Sequence, residues 1–191
     1  VRDFLALLQN ARRWNLVVGI VGLLGAFWIW QSAVPATATT GGLVPSPREG
    51  FPAPDFSLPT LDGEEVTLSD LRGQVVVINL WTSWCPPCRE EMPALEVVYG
   101  QYREEGLVVL GVNSTFQDNE EAAASFVREL GLTFPILLDR SGAASRRYQL
   151  QALPTTYFVD RQGIIRSVVL GGPMSPATIE SKIVDLLAEA S

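Results

Sequence analysis

Residues 74–88 read QVVVINLWTSWCPPC. Gln74 to Leu80 is a nearly continuous apolar run, the pattern of a strand buried on both faces of a sheet. Pro86 and Pro87 suit the first turn of a helix, where a missing backbone N–H leaves nothing unpaired. A buried strand therefore passes through a short loop into a helix, and two cysteines three residues apart sit at the junction. With Cys85 as the N-cap, Pro86, Pro87 and Cys88 are the first three helical residues. Cα atoms at that spacing lie roughly 5 Å apart, which suits a disulfide. The Cys85 sulfur faces the positive end of the helix dipole and can accept the Cys88 N–H. Both effects favour the thiolate, so the Cys85 pKa is expected below the free value of about 8.5. Cys85 is expected to be the exposed nucleophile and Cys88 the buried, resolving thiol. The two prolines remove two further donors to the sulfur. The thiolate is then only moderately stabilised, which places the couple toward the reducing end of the range.

The elements on either side alternate. Short strands are expected at 55–58 and 66–68, followed by one helical turn closed by Gly73. The helix opened by Pro86 carries Met92, Leu95, Tyr99 and Tyr102 on one face and ends at Gly106. Leu107 to Val112 reads as a second buried strand. Ala123, Phe126, Val127 and Leu130 mark a helix capped by Gly131. A third strand is expected at 134–138 and a short helix at 143–148. Thr155–Val159 and Ile164–Leu170 are strands joined by the hairpin turn Asp160-Arg161-Gln162-Gly163. Ser175 and Pro176 open the last helix as N-cap and first helical residue. The expected fold class is an α/β sandwich with a mixed sheet.

Composition narrows the chemistry. The 191 residues contain two cysteines and no histidine. Cys–His nucleophilic catalysis and the usual zinc and copper sites are thereby excluded. The chemistry rests on a redox-active Cys85–Cys88 disulfide, with no other cofactor and no metal. Residues 51–191 carry ten basic and nineteen acidic groups, a net charge of −9. That balance speaks against nucleic acid as a partner, because phosphate binding needs a basic face.

The N-terminal part reads differently. Residues 16–30, LVVGIVGLLGAFWIW, have no polar side chain other than the indoles, and Arg12 and Arg13 precede them. Extended to Val34, the stretch would span about 28 Å as a helix, enough for a membrane core. Excess positive charge before it keeps the N-terminus cytoplasmic and exports the remainder of the chain. The expected organisation is a cytoplasmic N-terminus (1–15), a transmembrane anchor (16–34), a flexible linker (35–50) and a folded domain (51–191). A cleaved signal peptide is the rival, with Ala36-Thr37-Ala38 as its cleavage pattern. Both readings place the folded domain outside the cytoplasm.

Three runs together resemble the thioredoxin superfamily: WTSWCPPC (81–88), EEMPALE (90–96) and LPTTYFVD (153–160). With Ala53-Pro54-Asp55-Phe56 and Leu61-Asp62-Gly63, they look most like the membrane-anchored TlpA/ResA-like thiol–disulfide oxidoreductases, with their redoxin (AhpC/TSA-like) domain. The resemblance covers about residues 50–190. It implies a thioredoxin-like three-layer α/β/α sandwich with Cys85 and Cys88 as catalytic cysteines and Pro154 as the cis proline. It further implies that Trp84, Pro86, Pro87, Leu153, Pro154 and Thr155 meet the substrate. The implied partners are exported proteins with cysteine pairs, apocytochrome c among them, and a transmembrane thiol electron donor.

Where classical thioredoxins carry a buried Asp, this chain has Asn79, as the TlpA-like branch commonly does. A proton relay is then sought elsewhere, and Asp118 is one candidate. Two other functions compete. A peroxiredoxin-type peroxidase would use a Pro-x-x-x-Thr-x-x-Cys pattern; Thr82 fits, but Ile78 stands at the proline position. A copper carrier would need Cys-x-x-x-Cys and a histidine, and has neither.

Overall fold

The computed structural model describes residues 15, 18–25, 28 and 42–188. The chain divides into two units, Val1–Ala38 and Thr39–Ser191. In the first, residues 18–25 are helical and exposed. Among the described residues no helix is long and apolar enough to cross a membrane. About half of the expected span at 16–34 falls outside the described residues, as do nearly all of 1–15 and the first part of the linker.

The second unit runs β1 (Ser57–Pro59), β2 (Glu65–Thr67), β3 (Val75–Trp81), α1 (Pro86–Tyr102), β4 (Leu107–Asn113), α2 (Glu120–Leu130), β5 (Ile136–Leu138), α3 (Ala143–Arg147), β6 (Thr155–Val159), β7 (Ile165–Leu170) and α4 (Pro176–Ala188). Short 3-10 turns lie at Leu68–Leu71, Arg103–Glu105 and Thr115–Gln117. β1 and β2 form a small antiparallel hairpin. The other five strands make one sheet in the order β5-β4-β3-β6-β7. β3, β4 and β5 are parallel, joined by the crossover helices α1 and α2, whereas β6 and β7 run antiparallel. Connection length sets the pairings of strands adjacent in sequence: parallel neighbours need a long crossover, and the tight turn after β6 can return β7 only as an antiparallel strand. That turn is Asp160–Gly163, closed by the Gly163 N–H on the Asp160 carbonyl at 2.9 Å, with Gly163 at φ +82°.

β3 is the central strand, and all seven of its residues are buried. Its side chains alternate between two cores. Val75, Val77 and Trp81 pack with Met92 and Leu95 of α1, Phe126 of α2 and Ile179 and Ile183 of α4. Val76, Ile78 and Leu80 pack with Phe56, Leu68, Tyr148 and Tyr157. The expected three layers are present but unequal. Three full helices cover one face, while the other is covered by five-residue α3 and the segment around β1 and β2.

The caps expected at Gly131 and Ser175 are in place, Asn119 opens α2, and α1 ends at Tyr102, with a 3-10 turn carrying the chain on to Gly106. The Asn119 side chain accepts the Ala122 N–H at 3.0 Å, and Gly131 closes α2 at φ +62°. The Ser175 hydroxyl accepts the Thr178 N–H at 3.2 Å at the start of α4.

Candidate active site

The site forms where β3 hands over to α1. Cys85 has extended backbone angles, φ −87° and ψ 109°, and caps α1. Its Sγ accepts the Cys88 N–H at 3.2 Å. Cys85 and Cys88 are joined as a disulfide with Cα atoms 5.3 Å apart. Cys88 is fully buried, as its place one turn into the helix requires.

Cys85 departs from expectation. Its place at the cap predicts exposure, yet only 3% of its surface reaches solvent. Cys85 belongs to the same buried cluster as Cys88, Trp81 and Met92. What remains accessible opens onto a groove of about 810 Å³. Trp84, Pro86, Pro87 and Leu153 line that groove together with Cys85, although Leu153 is some seventy positions away in sequence. Trp84 is 58% exposed, and its indole N–H donates to the Gln117 carbonyl at 3.1 Å. It stands as one wall of the groove, facing Phe116 and Gln117 from the loop after β4.

Pro154 is preceded by a cis peptide bond, as the resemblance implied, and is buried beneath the groove rather than lining it. Thr155 is also buried, and its hydroxyl donates to the Ala152 carbonyl at 2.7 Å. The placement of Thr155 does not fit direct substrate contact. It lies on the β6 phase that faces the α3 side, and its hydroxyl fixes the loop that carries Leu153.

A carboxylate with no assigned role in the motif lies behind the dithiol. Glu91 is one turn beyond Cys88 on α1 and fully buried. Its Oε1 accepts the Thr156 hydroxyl at 2.9 Å and the Asn79 amide at 3.3 Å, and that amide also donates to Thr156 Oγ1 at 2.8 Å. Asn79 and Thr156 are register partners on β3 and β6, so one sheet position supplies both groups. Burial pushes the Glu91 carboxyl up to about 7, only partly offset by the Thr156 hydroxyl. Among the described residues, Asn79 Oδ1 has no hydrogen-bond partner. The signal was present in the helix pattern: position 91 falls between Cys88 and Leu95 on the inward face.

Asp118 has a different part from the relay that the sequence suggests. It accepts the Ser83 N–H and the Ser83 hydroxyl, both at 2.6 Å, and the Asn113 amide at 2.7 Å. Partial burial alone would raise its carboxyl. The hydrogen bonds from Ser83, Asn113 and the Asn119 backbone outweigh that and hold it below the usual carboxylate range. A group held ionised in this way suits an anchor, and Asp118 ties the loop before Cys85 to the loop after β4.

The chain matches the model of the AhpC/TSA family over residues 50–168. It is 41% identical over 137 residues to the thioredoxin-like protein YneN of Bacillus subtilis, covering 71% of this chain and 79% of that protein. It is 38% identical over 122 residues to the thiol-disulfide oxidoreductase ResA of Geobacillus kaustophilus, covering 64% and 69% of the two chains. The crystal structure of a secreted Mycobacterium tuberculosis disulfide oxidoreductase, described as homologous to DsbE, superposes with a TM-score of 0.62 at 28% identity, over 69% of this chain and 96% of that one. With its dithiol at the start of α1 on a thioredoxin-like fold, the chain belongs to the AhpC/TSA family and is a thiol–disulfide oxidoreductase.

Proposed function

We propose that the chain reduces disulfides in exported proteins through Cys85 and Cys88, with its folded domain outside the cytoplasm. The observation that carries this is the placement of the two sulfurs: Cys85 caps α1 and opens onto an apolar groove, while Cys88 is sealed behind it. In the reduced enzyme the Cys85 thiolate attacks one sulfur of a substrate disulfide. A mixed disulfide forms, and the first substrate sulfur leaves and takes a proton. Cys88 then loses its proton and attacks Cys85 Sγ, releasing the second substrate thiol. Two electrons pass from the dithiol to the substrate; of the two protons that the substrate thiols take up, one replaces the proton that Cys88 gives up and the other comes from solvent. The buried Glu91 carboxyl, on the same helix face as Cys88 and close to half-ionised at neutral pH, is placed to take up the Cys88 proton.

The compartment and partners belong to the same proposal. Residues 16–34 anchor the chain in a membrane, and a transmembrane thiol carrier re-reduces the dithiol. Apocytochrome c, whose haem-site cysteines must be reduced, is one substrate class. The apolar run behind Arg12 and Arg13 supports export, as does the secreted relative. The absence of further donors at Pro86 and Pro87 supports the reducing direction.

Insulin reduction tests the activity, run beside peroxide consumption. Rapid insulin reduction with slow peroxide turnover is expected; the reverse result would replace this reading with a thiol peroxidase. Trapping by Cys88→Ser in membranes should leave an exported protein on Cys85. Protease digestion of intact and opened cells reports on which side the domain stands.

A further inference from the structure

The last part of the expected linker is fixed to the folded unit. The Ser46 N–H donates to the Pro52 carbonyl at 3.0 Å, the Gly50 N–H to the Ile165 carbonyl at 2.8 Å, and the Ile165 N–H to the Phe51 carbonyl at 2.9 Å. The Glu49 carboxylate accepts the Val168 N–H at 2.9 Å. The segment lies along the outer edge of β7, and the chain toward the N-terminus leaves the folded unit there. Only residues 35–41 then separate the proposed membrane span from Gly42. Fully extended, they reach at most about 30 Å. A domain of this length is roughly 35 Å across. A tether shorter than the domain is wide cannot let the far side turn to the bilayer, so the face at residues 42–51 stays nearest the lipid.

That face differs from the rest of the surface. Leu43, Val44, Phe51 and Leu170 are four of the eight large hydrophobic side chains exposed in the folded unit among the described residues. Two shallow concavities meet at Pro47 and Gln149, one walled by Arg48 and Leu170 and the other by Pro45 and Arg147. Both arginines are exposed, and among the described residues neither is paired with a carboxylate. The acids nearby are Glu49, on the Val168 N–H, and Asp55, on the Phe56 and Ser69 N–H groups. Residues 51–191 carry a net charge of −9 and are repelled by an anionic surface, so a face with free arginines is the one that can approach it.

We infer that the face carrying Leu43, Val44, Arg48 and Arg147 docks on the anionic phospholipid surface of the membrane that holds the chain. The inference rests on the proposed anchor at 16–34 and adds an orientation to it. The apolar side chains enter the boundary between headgroups and acyl chains, and the arginines meet lipid phosphates. Each arginine near such a surface strengthens association by about fivefold. Gln149 also lines the groove at Cys85, so docking holds the dithiol beside the bilayer, within reach of a membrane-embedded thiol donor.

The test uses the full chain in phosphatidylcholine liposomes, with or without phosphatidylglycerol, containing a doxyl-labelled lipid as quencher. An apolar fluorophore is attached at Val44→Cys or, as control, at Val97→Cys on α1, which is equally exposed to reagent, with the native disulfide left oxidised. With phosphatidylglycerol, at least threefold more quenching is expected at position 44 than at 97. Arg48→Gln with Arg147→Gln should remove most of that difference while leaving the thermal midpoint unchanged. Equal quenching at the two positions, or quenching at 44 that depends on neither phosphatidylglycerol nor the arginines, overturns the docking. A chain that floats with the liposomes but stays unquenched at 44 keeps its anchor and loses the docking alone. A chain that does not float with them loses both.

Discussion

Glu91 Oε1 accepts the hydroxyl of Thr156 at 2.9 Å, joining α1 to β6 in the buried space behind the dithiol. A carboxyl in that place prefers its proton, and stability must therefore depend on pH. Its pKa rises from 4.5 in the open chain to about 7 in the fold. Below pH 4.5 both states are protonated and the full contribution is present. Between 4.5 and 7 the unfolded chain releases the proton while the folded chain keeps it, so stability falls as pH rises, by roughly 3 kcal/mol in all. Glu91→Gln should remove this slope. Denaturant unfolding of the oxidised protein from pH 4 to 8, wild type against variant, measures it; parallel curves would mean that Glu91 does not titrate in this range.

The same carboxyl predicts a kinetic effect. With Glu91→Gln, formation of the mixed disulfide at Cys85 should be little changed. Its resolution by Cys88 should slow by about 10²-fold at pH 7, the ordinary scale for losing a positioned base. Stopped-flow measurement of the two phases separates them. Loss confined to the first phase would remove Glu91 from the proton path.

Asp118 ties Ser83 to the loop after β4 through charge-assisted hydrogen bonds. Asp118→Asn should cost about 2 kcal/mol, since bonds to a charged acceptor contribute roughly 1.5–3 kcal/mol each and Asn keeps one acceptor. The carboxyl is depressed in the fold, so the wild-type advantage is present above the ordinary carboxylate range and is lost as pH falls through the folded value. Unfolding curves of both proteins should converge in acid.

Gly111 lies in β4 where a Cβ would stand 2.7 Å from Ile136 Cδ1 and 3.0 Å from the Phe134 ring. Gly111→Ala is expected to destabilise the fold by about 1–3 kcal/mol through overpacking. Thermal unfolding checks this; an unchanged midpoint would show that the β4–β5 side of the core yields easily.

The couple should titrate nearer about −270 mV than about −120 mV, because Pro86 and Pro87 withhold two donors from the Cys85 sulfur. Equilibration with glutathione or dithiothreitol buffers gives the value. Replacing Pro87 by a residue with an N–H should move it toward the oxidising end.

Local signals carried much of the fold. The apolar run 75–81 marked a central strand, Gly131 and Ser175 marked helix ends, and Asp160–Gly163 marked the hairpin, because each depends on neighbours in sequence. Strand order was not legible in the same way. That β3 lies between β4 and β6 depends on which faces find cover, and pairings seventy residues apart leave no local mark. The unequal layers have the same origin: the second face is closed by an irregular segment with no periodicity to read.

At the site, the order of residues was enough to place the Cys85–Cys88 disulfide at the start of α1. Two cysteines at a strand-to-helix junction, in a chain without histidine, admit little other chemistry, and their separation on one helical turn settles which is the cap. Tertiary packing set their surroundings. It buried Cys85 as well as Cys88, because the cap packs into one cluster with Trp81 and Met92. It drew Leu153 to the dithiol and turned Thr155 away from it, a matter of strand phase on β6. It made Asp118 an anchor rather than a proton carrier, since four donors converge on it from three segments. It also gave Glu91 its raised pKa, which comes from removal of water and so exists only once helix and sheet have closed over it.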